Sequence, residues 1–106
     1  MKDIMGMMKQ VQAMQSKMQD LQAELERIEV EGASGGGLVT VRLTAKGEMK
    51  ALAIDPSLLR ADEKEILEDL IVAAMNDARG KAERAAEARM AEMTKGLPLP
   101  PGLKLF

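Results

Sequence analysis

Asn76 and Asp77 form an adjacent polar pair in an otherwise apolar helical stretch, directly after Ala73-Ala74-Met75. A carboxylate so placed can act catalytically. More often such a pair hydrogen-bonds backbone or partner groups at an interface. Asp62, Glu65 and Asp69 recur at three- and four-residue spacing, so they share a helix face that could hold a hard cation. They come without loop ligands or a second acidic cluster, and helix capping and solvation account for them better. Gly35-Gly36-Gly37 lies between strand-like runs and does not precede a helix, so the phosphate cradle of a dinucleotide site or P-loop is absent. The chain has no His, the usual general base and commonest metal ligand, and no Cys. These features predict no catalytic, cofactor-binding or metal-binding residue, and no enzyme.

Charged residues carry more information than these clusters. Lys2, Lys9 and Lys17 outnumber Asp3 over the first seventeen residues, whereas Asp20, Glu24, Glu26, Glu29 and Glu31 outnumber Arg27 over the next stretch. Late in the chain the order reverses. The region 62–77 is acidic apart from Lys64, and Arg79, Lys81, Arg84, Arg89 and Lys95 then exceed Glu83, Glu87 and Glu92. If helices enter and leave a central sheet at their acidic ends, both basic segments are sheet-distal. A mixed, soluble helix surface is one reading of this pattern. An anion-binding tip is the other, despite a formal net charge of −2.

The elements that must position these charges follow from periodicity. Ile4, Met7, Val11, Met14, Met18, Leu21, Leu25 and Ile28 alternate in steps of three and four, a heptad seam. This narrow seam predicts a helix over 3–27 that pairs with another helix, from the same chain or from a second copy. Ile4, Met7, Val11, Met14, Met18 and Leu21 are the candidate dimer-interface residues. Residues 28–33 read as a strand and the glycine run as a hairpin turn, with Gly36 at positive φ. Val39, Val41 and Leu43 alternate with Thr40, Arg42 and Thr44, a half-buried strand. Residues 49–54 give a third strand, with Leu52 and Ile54 on one face, ended by Asp55-Pro56. The sheet region 28–55 is therefore a three-stranded antiparallel meander.

Asp62-Glu63-Lys64-Glu65 has the form of a capping box, and a helix over 62–95 follows. Ile66, Leu67, Leu70, Ile71, Val72 and Met75 suit a sheet face; beyond Ala78 the stripe is mainly alanine and should pass beyond the sheet. The Pro-rich tail 96–106 reads as a helix stop and packing segment in extended polyproline conformation. Its Pro98-to-Pro101 spacing also fits PxxP, a weaker reading. The whole 106-residue chain is one α+β domain. Aromatics are 1% of it, so the core must be aliphatic, with ten Met as adaptable filler or, less expectedly, as a groove lining. The start of the chain lacks the pattern of a signal peptide, and no stretch approaches the ~18 apolar residues of a membrane span.

An ordered set of segments is similar to one known family. It comprises the Met- and Gln-rich leading helix, Glu29-Val30-Glu31-Gly32 with its glycine run, Ile54-Asp55-Pro56, Leu67-Glu68-Asp69-Leu70, Ala73-Ala74-Met75-Asn76-Asp77-Ala78 and Leu97-Pro98-Leu99-Pro100-Pro101-Gly102. Together they resemble the YbaB/EbfC family of small bacterial nucleoid-associated proteins. The family commonly ends Pro-Phe where this chain has Leu105-Phe106. The resemblance implies a tweezers-shaped homodimer that binds duplex DNA, located in the cytoplasm on the nucleoid. Combined with the charge pattern, it makes Lys2, Lys9, Lys17, Arg79, Lys81, Arg84 and Arg89 the candidate DNA contacts, mainly to phosphates. The absence of an aromatic platform argues against single-strand or RNA specialisation. The alternative function is an adaptor for replication or recombination proteins with incidental DNA affinity.

Overall fold

In the computed structural model a long helix, a three-stranded antiparallel sheet and a second long helix follow one another. The structure describes residues 2–95, with side chains for 4–93 and Lys95. Helix α1 spans Lys2–Arg27, strand β1 Glu29–Ser34, β2 Val39–Thr44, β3 Met49–Ile54, and helix α2 Lys64–Thr94. The strands are ordered β1-β2-β3. The Pro-rich tail 96–106 lies outside the described residues, as does the side chain of Lys2.

Both hairpins form for local reasons. The first closes with a hydrogen bond from Gly37 N–H to the Ser34 carbonyl at 3.1 Å. Gly36 sits at φ +68°, as expected of a tight turn that L side chains resist. The second turns at Gly47, and buried Thr44 holds it. Thr44 N–H donates to the Glu48 carbonyl at 2.8 Å, and its hydroxyl accepts from Glu48 N–H at 3.1 Å. The register slips between Arg42 and Leu43, where β3 carries one extra residue, Lys50.

One face of the sheet is core. Val39, Val41 and Leu43 are fully buried and pack with Leu58, Ala74 and Ala78. Helix α2 crosses β1 at its small residues, since a Cβ on Gly32 would meet the backbone of Ala74 and Ala78. Closest approach therefore uses alanine and glycine, with Leu67, Leu70, Ile71 and Met75 packed around them. Ile66 and Val72, expected on the sheet face, are exposed instead. Leu52 does share the core-side face with Ile54, because their partners Val41 and Val39 do. It nevertheless stays 43% exposed, since α2 covers β1 and β2 and not β3.

The expected capping box does not form. A short 3-10 turn, Ala61–Glu63, leads into α2, and Glu63 at the cap makes no side-chain capping bond. Asp62 lies 3.4 Å from Arg60 instead. An earlier carboxylate does cap: Asp55 accepts from Ser57 N–H at 2.9 Å, starting the turn Pro56–Leu58.

Past the sheet, the alanine stripe of α2 meets α1. Leu21 and Leu25 are buried with Ala45 against Ala85, Ala86, Met90 and Met93. The seam thus pairs within the chain over its last turns, and the helices run antiparallel. From Ile4 to Met18 its apolar residues remain exposed. The molecule measures 72 × 25 × 17 Å, with a radius of gyration of 19.9 Å. A compact chain of this length would have about 13 Å. The excess is the part of α1 that extends beyond α2.

Candidate nucleic-acid interface

The candidate bases divide into two kinds. Lys81 is a structural residue: its Nζ donates to the Glu31 carbonyl at 2.8 Å and lies 3.3 Å from Asp77 Oδ2. The same carboxylate accepts from Ala33 N–H at 3.0 Å. Side chains of α2 thus occupy the outward-facing backbone groups of β1, an edge that would otherwise be open to pairing. That answers what Asn76-Asp77 does: Asp77 serves the backbone, and Asn76 is exposed. The hydrogen bond from Ala33, then that from Lys81, holds the Asp77 carboxyl below the usual carboxylate range. The charge pattern predicts a sheet-distal Lys81, and the structure puts it on the sheet edge. One α-helical turn past Asp77 is too short a distance to leave the sheet.

Arg89 is the second structural base. It lies 2.8 Å from Glu24 and 2.9 Å from Glu92, strapping α2 to α1. Its Nε is buried without a hydrogen-bond partner among the described residues. The adjacent cleft, about 290 Å³, is lined by Lys17, Asp20, Leu21, Glu24, Arg89, Glu92 and Met93. Three carboxylates and two bases line it, and two of the carboxylates, Glu24 and Glu92, pair with Arg89, which leaves Lys17 at its rim.

Lys9, Lys17, Arg79 and Arg84 are exposed and form no ion pair with another described residue. Arg84 lies back over Gly80, where its guanidinium would stand 3.5 Å from an added Cβ, and its charge also lowers the Asp77 pKa. Lys9 and Lys17 stand on the projecting part of α1. Between Ile4 and Gln19 they are the only charged residues, so that part carries bases and no acid. Sequence reasoning names these positions but does not separate paired from unpaired bases. The separation depends on which carboxylates the fold brings within reach.

Among the described residues no group of three or more acidic side chains could hold a metal ion, Asp62, Glu65 and Asp69 included. No described helix is long and apolar enough to cross a membrane.

Comparison with known proteins agrees with this architecture. A nucleoid-associated protein of Nitrobacter hamburgensis is 62% identical over 105 residues, covering 99% of both chains. One of Agrobacterium fabrum is also 62% identical over 105 residues, covering 99% of this chain and 98% of its own. The crystal structure of an uncharacterized protein from Helicobacter pylori matches with a TM-score of 0.73 at 26% identity, covering 82% of this chain and 91% of that one. Residues 1–97 match the model of the YbaB/EbfC DNA-binding family. The chain belongs to the YbaB/EbfC DNA-binding family.

Proposed function

We propose that the protein binds duplex DNA as a homodimer on the nucleoid, gripping phosphates with Lys9 and Lys17 of α1 and Arg79 and Arg84 of α2. The observation that carries this reading is the family match over nearly the whole chain. The geometry supports these four over the other candidates. A base already held by carboxylates has less to gain from a phosphate than one outside an ion pair, and these four form no ion pair with another described residue. Lys81 and Arg89 then maintain the scaffold and make no primary contact.

The two sheet edges support a dimer through β3. Asp77 and Lys81 occupy the β1 edge, whereas no described side chain bonds the outer edge of β3. Met49 and Leu52 beside that edge are 44% and 43% exposed. A second copy joined there would cover them.

The test is a salt titration of binding to arbitrary duplex. Replacing Lys9, Lys17, Arg79 and Arg84 by Ala should weaken all sequences alike and flatten the log–log salt slope by about 0.9 for each phosphate that is no longer neutralised. Unchanged affinity and slope, with folding and dimerisation intact, would overturn the assignment. Binding that is insensitive to salt would favour the adaptor role instead.

A further inference from the structure

The seam of α1 is covered over only part of its length. Leu21 and Leu25 are buried against α2 of the same chain, whereas Ile4, Met7, Val11, Met14 and Met18, on the same face, are exposed. An open trough of about 820 Å³ follows the exposed stretch from Met7 to Gln19. We propose that this stretch pairs, antiparallel, with the same stretch of a second copy, and that the contact joins molecules lying side by side on duplex DNA. The setting rests on the proposed DNA binding; the surface is separate from the β3 edge, so dimers formed through one can be joined through the other.

Three observations favour a second copy as the occupant. The first is spacing. Ile4, Met7, Val11 and Met14 are separated by steps of three, four and three residues, which read the same in both directions. An antiparallel copy therefore falls into register, with Ile4 opposite Met14 and Met7 opposite Val11, and every apolar side chain meets another.

The second is direction and room. As α1 is followed backward from Leu25 to Leu21 to Lys17, its neighbours on α2 advance from Ala86 to Met90 to Met93. Helix α2 is thus antiparallel to α1, and it ends at Thr94, beside the last covered turn. A second α1 running antiparallel carries on along the seam where α2 stops, with the two bodies at opposite ends of the pair. A parallel copy in register fails, because α2 covers each seam from Leu21 onward and the two would collide there.

The third is charge and area. Gln10 and Gln15, which flank the paired stretch, are uncharged, so two copies approach without like charges on the rim. Lys9 lies on the opposite face of α1, and in this register the two Lys9 residues stand at the same level on opposite outer sides of the pair, both open to phosphate. Ile4, Met7, Val11 and Met14 are 40–63% exposed. They leave roughly 400 Å² of apolar surface per copy, a patch of the size that is often functional on a monomer. Two copies together bury roughly 800 Å², short of the ~1,200 Å² of a stable complex. The contact is therefore weak between free molecules, and it forms where DNA holds them together at an effective concentration on the order of millimolar.

The chain has no cysteine, which permits a direct test. Chains carrying Met7→Cys and chains carrying Val11→Cys, mixed, should form the mixed disulfide under mild oxidation, at micromolar concentration with a long duplex and at millimolar concentration without one. Ser16→Cys, on the opposite face of α1, should form none in either condition. Independently, the unmodified protein should bind a long duplex several-fold more tightly per site than a duplex that holds a single dimer. Met7→Gln with Val11→Gln should abolish that gain and leave affinity for the short duplex unchanged. No mixed disulfide in either condition would leave the seam to an unlike partner and overturn the proposal. So would equal cross-linking at Ser16, a preference for Val11-to-Val11 disulfides over the mixed one, or a gain on long duplex that survives both glutamines. If no duplex binds at all, the DNA reading fails by itself, and the cross-link at millimolar concentration without duplex still decides the seam.

Discussion

Gly32→Ala should be among the most damaging single-methyl changes in this protein. Its Cβ would stand 2.7 Å from Ala78 Cα and still closer to Ala78 N and the Ala74 carbonyl oxygen. These are backbone atoms of α2, and no rotamer change removes them. Overpacking of a core costs roughly 1–3 kcal/mol where side chains can shift. Here the helix must move off Val39, Val41 and Leu43, so the expected cost is at the upper end, about 3 kcal/mol. For a domain of this size that lowers Tm by about 12 °C or more. Urea unfolding at fixed protein concentration measures it, and the midpoint should fall without a change in m. Two controls calibrate the result. Gly36→Ala meets no atom within 4 Å but must hold φ +68°, so it should cost about 1 kcal/mol. Gly6→Ala, also with open space around it and within α1, should be neutral or stabilise by up to about 1 kcal/mol. Gly32→Ala within about 0.5 kcal/mol of the unmodified protein would refute the close crossing of α2 over β1.

Asp77→Asn tests the protected β1 edge through pH. The folded-state pKa of Asp77 is lowered, so its stabilising contribution is present above the unfolded carboxylate value and is lost as pH falls through the folded value. Stability of the unmodified protein should therefore decline on acidification below about pH 4, and Asp77→Asn should make that decline shallower; an identical pH profile would contradict the assignment. Arg89→Ala should loosen α1 from α2, raising amide exchange over residues 20–26 while leaving the salt slope of DNA binding unchanged; a flattened slope would make Arg89 a phosphate contact. Leu52→Lys should dissociate the proposed dimer in light scattering at micromolar concentration, because a lysine beside an open strand edge opposes pairing. Dissociation by Val11→Lys and not by Leu52→Lys would relocate the interface to the seam.

Elements with strong period and punctuation are legible in the sequence. The heptad pattern marks α1, the alternation Val39–Thr44 marks β2, and the glycines mark the hairpin with Gly36 at positive φ. Pairing in space is not legible there. Leu21 and Met14 have the same heptad standing, yet Leu21 is buried in its own chain and Met14 is exposed. The difference is only how far α2 extends alongside α1. Lys81 and Arg84 share a helix face, yet Lys81 is held by Glu31 and Asp77. On the sheet face of α2, bulk is a poor signal for contact. Closest approach selects Ala74, Ala78 and Gly32, and leaves Ile66 and Val72 exposed. Asp62 has the spacing of a cap, but a 3-10 turn shifts the helix start and Arg60 engages the carboxylate.

A net charge of −2 is a poor recommendation for a DNA-binding protein, and the shape of the molecule resolves the difficulty. The acids of the helix junction are largely engaged: Glu24 and Glu92 with Arg89, Glu26 with Lys46. The projecting part of α1 extends about 20 Å beyond Lys17 at ~1.5 Å per residue. At physiological ionic strength the Debye length is about 8 Å. A phosphate approaching near Lys9 is therefore screened from the body and interacts with a local surface that holds bases and no acid between residues 4 and 19. The prediction that follows is positional. Met8→Glu, beside Lys9 at the tip, should weaken duplex binding more than adding a carboxylate at Ala53 on the sheet, although both change the net charge equally. Equal losses from the two variants would mean that total charge governs binding and that the tip has no special part in it.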